Sequence, residues 1–136
     1  MGELVRTAMS LDGDLLVKFD EWMAAHGYTN RSEAVRDLMR AALVEREWAD
    51  PKAKVVAAMS IIYDHAAHTL AQSLAHMQHE DHHAILCSQH VHLDHRRCLE
   101  VILMRGTAGQ LRRLSDAIVA TRGVQAGKLT LMSLNV

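Results

Sequence analysis

Residues 84–105, AILCSQHVHLDHRRCLEVILMR, decide the fold of the second half of the chain. Two strand-forming runs flank a short polar turn at residues 94–95, which predicts an antiparallel hairpin. Alternate side chains of a strand share a face, so His90 and His92 point the same way, and the returning strand can place Cys98 opposite them. Two imidazoles and one thiolate are three ligands for a transition metal, and a fourth ligand is still needed.

The segments on either side of this hairpin extend it into a βαββαβ order. Strands are predicted over residues 54–63, 84–93, 98–105 and 128–134, and helices over residues 65–78 and 107–122. Strands and helices interleaved in this way indicate an α+β fold, a ferredoxin-like sandwich. Because Cys87 and Val91 alternate with the two histidines, we expect them on the core face, with Cys87 buried as a small apolar residue.

The first half of the chain predicts a strand over residues 5–11 and a helix over residues 14–26, followed by Gly27. A second helix is expected to begin after Asn30, which can cap it, with Glu33 completing a capping box. Such a short unit has too little apolar surface to fold alone, and a lone strand has no hydrogen-bonded partner. Two copies whose strands pair antiparallel resolve both problems, which is the ribbon-helix-helix arrangement.

Pro51 interrupts the helical pattern and marks a linker between the two halves. The predicted organisation is a ribbon-helix-helix domain over residues 1–46, a linker over residues 47–53, and a metal-binding domain over residues 54–136. A chain of 136 residues divided in this way has two small cores, so oligomerisation is expected to supply further apolar burial.

Composition excludes several classes of protein. No apolar run approaches the roughly 20 residues that a membrane-spanning helix needs, and no signal-peptide pattern opens the chain, so we expect a cytoplasmic protein without membrane association. The two cysteines of such a protein are expected to be free or metal-bound thiols rather than a disulfide. Residues 1–50 carry six Lys and Arg against ten Asp and Glu, which counts against DNA binding driven by bulk charge. DNA recognition would have to come from the placement of a few arginines.

Histidine is unusually abundant, because the chain has ten and nine of them lie between His65 and His95. Several histidines near the hairpin could supply the fourth ligand, namely His76, His79, His82, His83 and His95. A ligand set of nitrogen and sulfur suits zinc in tetrahedral geometry and copper(II) or nickel(II) in a square plane, so spacing alone does not choose the metal. A solvated strand face is the alternative interpretation of His90 and His92, and Cys98 across the hairpin weighs against it.

Five motifs resemble those of the NikR family of nickel-responsive regulators, and they span nearly the whole chain. In order they are SLDGDLL (10–16), GYTNRSEAVRDLMR (27–40), QHEDHH (78–83), QHVHLDHRRCLEVILMRG (89–106) and ATRGV (120–124). The resemblance implies a transcriptional repressor of nickel uptake, not an enzyme, which binds a double-stranded DNA operator when Ni(II) is bound. The alternative is the same fold sensing copper, cobalt or zinc.

The resemblance also implies an assembly and a ligand set. A homotetramer, built as a dimer of dimers around ACT-type metal domains, would hold one Ni(II) per chain in a square plane. The ligands would be His90, His92 and Cys98 of one subunit and His79 of a neighbouring subunit. Gln78 and Glu100 match residues that lie near the site in the family, where they would be hydrogen-bond partners of the ligands.

For the first half of the chain, the resemblance implies that the paired strands enter the major groove of DNA. Strand alternation turns three side chains outward, those of Arg6, Ala8 and Ser10. Ala8 replaces a hydrogen-bonding threonine associated with the family, so base contact there would be through a methyl group. Asn30 and Arg31 lie at a helix N-terminus that suits a phosphate. Glu33 and Asp37 would match a second cation site between the two domains, or else be ordinary surface carboxylates.

Overall fold

The structure is a computed structural model that describes residues 2–80 and 83–136, apart from the side chains of residues 68–71 and 78. Its helices and strands are α1 Gly13–Ala25, α2 Arg31–Ala49, β1 Lys54–Asp64, α3 His68–Glu80, β2 Ile85–His92, β3 Arg97–Thr107, α4 Ala108–Val119 and β4 Val124–Met132. The chain divides into two compact units, Met1–Arg40 and Ala41–Val136. None of the helices in this described part is long and apolar enough to cross a membrane.

The first unit contains α1 and the beginning of α2, and a side chain caps the start of each helix. The Asp12 carboxylate accepts the backbone N–H of Asp14 at 2.9 Å, and the Asn30 side chain accepts that of Ser32 at 2.8 Å. Such caps satisfy N–H groups that the start of a helix leaves without a partner. Gly27 has a φ of 76° between the helices, a conformation that favours glycine. The two predicted helices are therefore confirmed.

The strand predicted over residues 5–11 is not formed. Residues 2–11 have no regular secondary structure, and their side chains are exposed. A strand needs a neighbouring strand to satisfy its N–H and C=O groups, and the strands of the described chain belong to the second unit and pair with one another. A ribbon would need the same segment of a second chain, so the ribbon-helix-helix arrangement stays a prediction.

The second unit is an α+β domain built on one four-stranded sheet in the order β2-β3-β1-β4. β1 pairs antiparallel with both β3 and β4, and the elements follow the predicted βαββαβ order. Helix α3 begins at His68 rather than at residue 65, because residues 65–67 form a turn. Strand β4 begins at Val124 rather than at residue 128, because its pairing with β1 continues past a bulge beside Tyr63.

One face of the sheet is covered by α3 and α4 and forms the core of the second unit. Burial alternates along β1 and β3, so every second side chain faces this core. Among the most deeply buried side chains are Met59, Ile61, Ile102, Met104, Leu111 and Ile118. The other face carries partly buried apolar side chains, and Val91 and Leu103 on it are 49% and 42% exposed. We call this second face the open sheet face.

The C-terminal end of α2 belongs to the core of the second unit. Trp48 is buried, its Nε1 donates to the Met132 carbonyl at 3.0 Å, and the Arg112 guanidinium lies 5.3 Å from the centre of its ring. Packing of Trp48 extends the helix to Ala49, into the segment predicted as a linker, and the helix ends shortly before Pro51. The predicted division into functional domains stays a prediction.

Candidate metal centre

The hairpin formed by β2 and β3 brings four of the predicted site residues together. Its register pairs His92 with Cys98 and His90 with Glu100. Residues directly opposite each other in neighbouring strands project from the same face. All four therefore lie on the helix-covered face, where Cys98 and Glu100 are buried. The expectation that the returning strand places Cys98 opposite the two histidines is confirmed for His92, whereas His90 lies opposite Glu100.

The expectation that Cys87 and Val91 face the core is wrong. Both are exposed, and the register of β2 puts them on the open sheet face, with Cys87 opposite Leu103. The physical reason is that β2 is an edge strand, and its apolar side chains continue an apolar sheet face that no helix covers among the described residues of the second unit. The alternation of apolar residues along β2 correctly predicts an apolar face. It does not show that this face is the open sheet face.

The turn between β2 and β3 sets the register of the hairpin. One carboxylate oxygen of Asp94 accepts the backbone N–H groups of Arg96 and Arg97 at 2.9 and 2.8 Å, and the other oxygen pairs with the Arg97 guanidinium at 2.6 Å. The backbone hydrogen bond from Arg96, together with the bonds from Arg97, holds the pKa of Asp94 well below its usual range. Leu93 closes the turn by donating its N–H to the Arg97 carbonyl at 2.8 Å.

His92 and Cys98 already lie at the spacing of two metal ligands. The Nδ1 of His92 is 3.1 Å from the Sγ of Cys98, and the cysteine is buried whereas the histidine is exposed. With metal bonds of about 2.0 Å to nitrogen and about 2.3 Å to sulfur, two ligand atoms are about 3 Å apart at a right angle and about 3.5 Å apart at a tetrahedral angle. The observed distance is that of a hydrogen bond between the two groups, and it leaves both ligand atoms within reach of one metal ion.

Two further imidazoles lie close to His92. Its ring centre is 5.7 Å from that of His90 and 5.5 Å from that of His65, and both pairs are nearly perpendicular. The sequence assigns His65 to a helix, but the residue lies in the turn after β1, where its N–H donates to the Arg96 carbonyl at 2.9 Å. The spacing of residues along the sequence does not predict that His65 lies near the site, because only the pairing of β1 with β3 brings it beside the hairpin.

The fourth predicted ligand lies on another element. His79 is in the last turn of α3 and is exposed, and the side chain of Gln78 falls outside the described residues. Within the part of this single chain that the structure describes, no group of three or more His, Cys, Asp or Glu side chains is arranged to hold a metal ion. The complete ligand set therefore stays a prediction.

Tyr63 is a residue of this site that the sequence analysis missed. It pairs in register with Cys98 across β1 and β3, and it is buried. Burial, together with the neighbouring Glu100 and Cys98 side chains, raises the pKa of Tyr63 to about 12. The strand pattern includes Tyr63 as the end of a strand, but the pairing that carries it to Cys98 is tertiary and leaves no local signal.

The residues predicted to contact DNA are exposed in the first unit. Arg6, Ala8 and Ser10 lie in the segment without regular secondary structure, and Asn30 caps α2. Arg31 at the start of α2 donates two hydrogen bonds to the carboxylate of Asp20, at 2.9 and 2.7 Å. The hydrogen bond from Arg31 lowers the pKa of Asp20. Contact with DNA stays a prediction for all five predicted residues.

The candidate second cation site has partners within the first unit. Asp37 accepts the hydroxyl of Tyr28 at 2.8 Å and pairs with Arg40 at 3.4 Å. The hydrogen bond to Asp37, together with the charges of Asp37 and Glu33, raises the pKa of Tyr28. A cation held by Glu33 and Asp37 stays a prediction.

The fold and the hairpin define a class of protein, an α+β domain with histidines and a buried cysteine suited to a transition metal. The profile described as NikR C terminal nickel binding domain matches residues 56–132. The chain is 46% identical over 131 residues to a protein of Solibacter usitatus named as a nickel-responsive regulator, covering 96% of this chain and 94% of that one. A protein of Solidesulfovibrio magneticus with the same name has the same identity and coverage. A third, from Anaeromyxobacter dehalogenans, is 46% identical over 128 residues, which cover 93% of this chain and 92% of that one.

The chain belongs to the NikR family of nickel-responsive regulators. It is accordingly a nickel-sensing regulator and not an enzyme.

Proposed function

We propose that this protein is a nickel-activated repressor that acts in the cytoplasm by binding an operator in double-stranded DNA. One Ni(II) per chain would be bound by three histidines and one cysteine. These ligands are His90, His92 and Cys98 of one subunit and His79 of a neighbouring subunit. The observation that supports the site most directly is the 3.1 Å spacing of the His92 Nδ1 and the Cys98 Sγ.

The residues of the hairpin have the chemistry that this site needs. Cys98 binds metal as a thiolate, so binding releases its proton, and the apparent affinity for metal falls as the pH drops. Bound Ni(II) would supply positive charge that stabilises the buried thiolate. Glu100 is buried and in register with His90, which suits a carboxylate that orients a ligating imidazole. Gln78 precedes His79 in the chain and is proposed for a similar role.

The open sheet face supports the homotetramer. Its apolar side chains, including Val91 and Leu103, would be covered by a second copy of this domain. When two subunits contribute ligands to one site, metal binding stabilises the subunit arrangement in which those ligands meet. Such coupling between metal binding and assembly suits a sensor. In this proposal residues 54–136 form the central ACT-type core, and residues 1–46 pair with those of a partner as ribbon-helix-helix dimers.

Two DNA-binding dimers on one assembly would bind two operator half-sites together. Linking two weak sites raises the overall affinity through effective concentration, without any new contact. In each dimer the proposed DNA contacts are Arg6, Ala8, Ser10, Asn30 and Arg31. A cation at Glu33 and Asp37 would offset part of the acidic charge of the first 50 residues.

A second candidate is the same fold sensing copper, cobalt or zinc. Divalent metals bind such sites with affinities that rise toward copper, so affinity alone does not identify the physiological metal. Nickel is favoured here because the relatives that cover nearly the whole chain are named as nickel-responsive regulators.

Titration of the metal-free protein with Ni(II), followed by absorption spectroscopy, tests the ligand set. We expect an intense near-ultraviolet thiolate-to-metal band that saturates at one Ni(II) per chain. Cys98→Ala should lose this band, whereas Cys87→Ala should keep it, because Cys87 is exposed on the open sheet face. Saturation without a thiolate band would exclude Cys98 as a ligand.

Selection of duplexes from a random DNA pool in the presence of Ni(II), followed by mobility-shift assays, tests the repressor assignment. His90→Ala should abolish nickel-dependent retention of the selected duplex. His95→Ala, in the turn between β2 and β3, is the matched control and should retain it. If His90→Ala retains the selected duplex as well as the unmodified protein does at high nickel, the repressor assignment is wrong.

A further inference from the structure

Two turns of the second unit lie side by side and are joined by an ion pair. Residues 65–67 lead from the end of β1 into α3, and residues 93–96 form the turn between β2 and β3. The Arg96 guanidinium lies 3.1 Å from the carboxylate of Asp64, and the Arg96 carbonyl accepts the N–H of His65 at 2.9 Å. One side-chain contact and one backbone hydrogen bond therefore hold the two turns together.

Each turn has hydrogen bonds of its own that do not involve the Arg96 side chain. The second oxygen of the Asp64 carboxylate accepts the N–H of Ala66 at 3.0 Å, within the turn before α3. The backbone N–H of Arg96 donates to Asp94 at 2.9 Å, within the hairpin turn. The Arg96 guanidinium therefore contributes to the contact between the turns rather than to the shape of either one.

These turns lead into the segments that carry the proposed ligands, since α3 ends with His79 and the hairpin turn precedes Cys98. Leu74 is buried and fixes the middle of α3 in the core, and the joined turns fix its beginning. Two fixed points determine the direction of a helix. Over the 13 residues of α3, about 18 Å, a rotation of about 10° at the beginning would move the last turn by about 3 Å. Ligand distances in a metal site are held within about 0.2 Å, so this direction matters for His79.

We propose that Arg96 is a positioning residue of the metal centre, whose ion pair with Asp64 fixes the direction of α3 relative to the hairpin. The inference rests on the proposed ligand set, in which α3 carries His79 to the site of a neighbouring subunit. The side chain of Arg96 is 70% exposed and that of Asp64 is 22% exposed. Ion pairs so open to solvent contribute little, so the expected change in nickel affinity is about two- to fivefold.

Nickel titration of the full-length protein tests this proposal. Arg96→Gln and Asp64→Asn should each weaken Ni(II) binding about two- to fivefold, and Asp64→Asn keeps an oxygen for the N–H of Ala66. The double variant should bind no more weakly than either single variant, because both changes remove the same interaction. Arg96→Lys keeps a cation and should restore most of the affinity. Arg113→Gln, at an exposed position of α4, is the matched control and should bind as the unmodified protein does.

The salt dependence separates an ion pair from other effects of the substitution. At about 1 M salt exposed charges are strongly screened, so the difference between Arg96→Gln and the unmodified protein should shrink. Unchanged affinity in Arg96→Gln, additive losses in the double variant, or a difference that salt does not reduce would overturn the proposal. If the unmodified protein shows no thiolate band with Ni(II), the proposed ligand set and this inference fail together. If the band forms but Arg96→Gln binds normally, only the role of Arg96 fails.

Discussion

At the scale of single residues, the spacing of the candidate ligands depends on a carboxylate outside the ligand set. Asp94 accepts two consecutive backbone N–H groups and pairs with Arg97, which fixes the turn before Cys98. Asp94→Ala should loosen the hairpin and weaken Ni(II) binding by about tenfold, as is typical for groups that support a ligand. Asp94→Asn keeps an oxygen acceptor and should retain most of the affinity. Nickel titration measures both, with Asp116→Ala on α4 as the control, and unchanged affinity in Asp94→Ala would contradict the expectation.

As the pH falls, Ni(II) should be released before the β2–β3 hairpin unfolds. The pKa of Asp94 is held well below its usual range, so its stabilising contribution is complete above about pH 4 and is lost as the pH falls further. Metal binding requires deprotonated ligands, so the affinity for Ni(II) falls as the pH drops and acid should release the metal. The thiolate band should therefore disappear above about pH 4, while the far-ultraviolet circular dichroism stays constant. Simultaneous loss of both signals would speak against this order of events.

At the scale of elements, local sequence patterns predict where a single strand or helix lies. Which residues of different elements come together depends on strand pairing. The helix caps, the βαββαβ order and the placement of Cys98 opposite His92 follow from local periodicity and one tight turn. Tyr63 and His65 join the site only through the pairing of β1 with β3, which links residues far apart in the chain. The sequence predicts the wrong core face for β2 because both faces of the sheet are apolar, and the pattern of one strand does not say which face the helices cover.

The packing of β4 against α4 gives a prediction at this scale. A Cβ atom at Gly127 would lie 2.7 Å from Cγ2 of Val119 and 3.1 Å from Cε of Met59. Overpacking typically costs about 1–3 kcal/mol, and because Gly127 is exposed and Val119 half-exposed, Gly127→Ala should lower the free energy of unfolding by about 1 kcal/mol, the lower end of that range. Urea unfolding measures the change, and Gly13→Ala, whose Cβ would meet nothing within 4 Å, is the control. Val119→Ala added to Gly127→Ala should restore part of the stability, and equal stability of Gly127→Ala and the unmodified protein would show that the contact is not tight.

At the scale of the whole molecule, several of the features that remain predictions require a second chain. Residues 2–11 have no strand partner within the described chain, and the open sheet face leaves apolar side chains half-exposed. Of the four proposed ligands, His92 and Cys98 are in contact within one chain. A single sequence predicts such features only by resemblance, because the contacts that would complete them lie between chains rather than along one.

The open sheet face gives the last prediction, because the proposed tetramer would bury it. Leu103 lies near its centre, opposite Ala58 on one side and Cys87 on the other. Leu103→Glu would place a charge in that interface, so the mass measured by light scattering should fall from that of a tetramer to a smaller species. Nickel affinity should fall with it, since His79 of the neighbouring subunit would be lost. Ala117→Glu is the control, because it adds the same charge at an exposed position of α4. A tetrameric mass for Leu103→Glu would mean that this face is not the one that copies of the chain share.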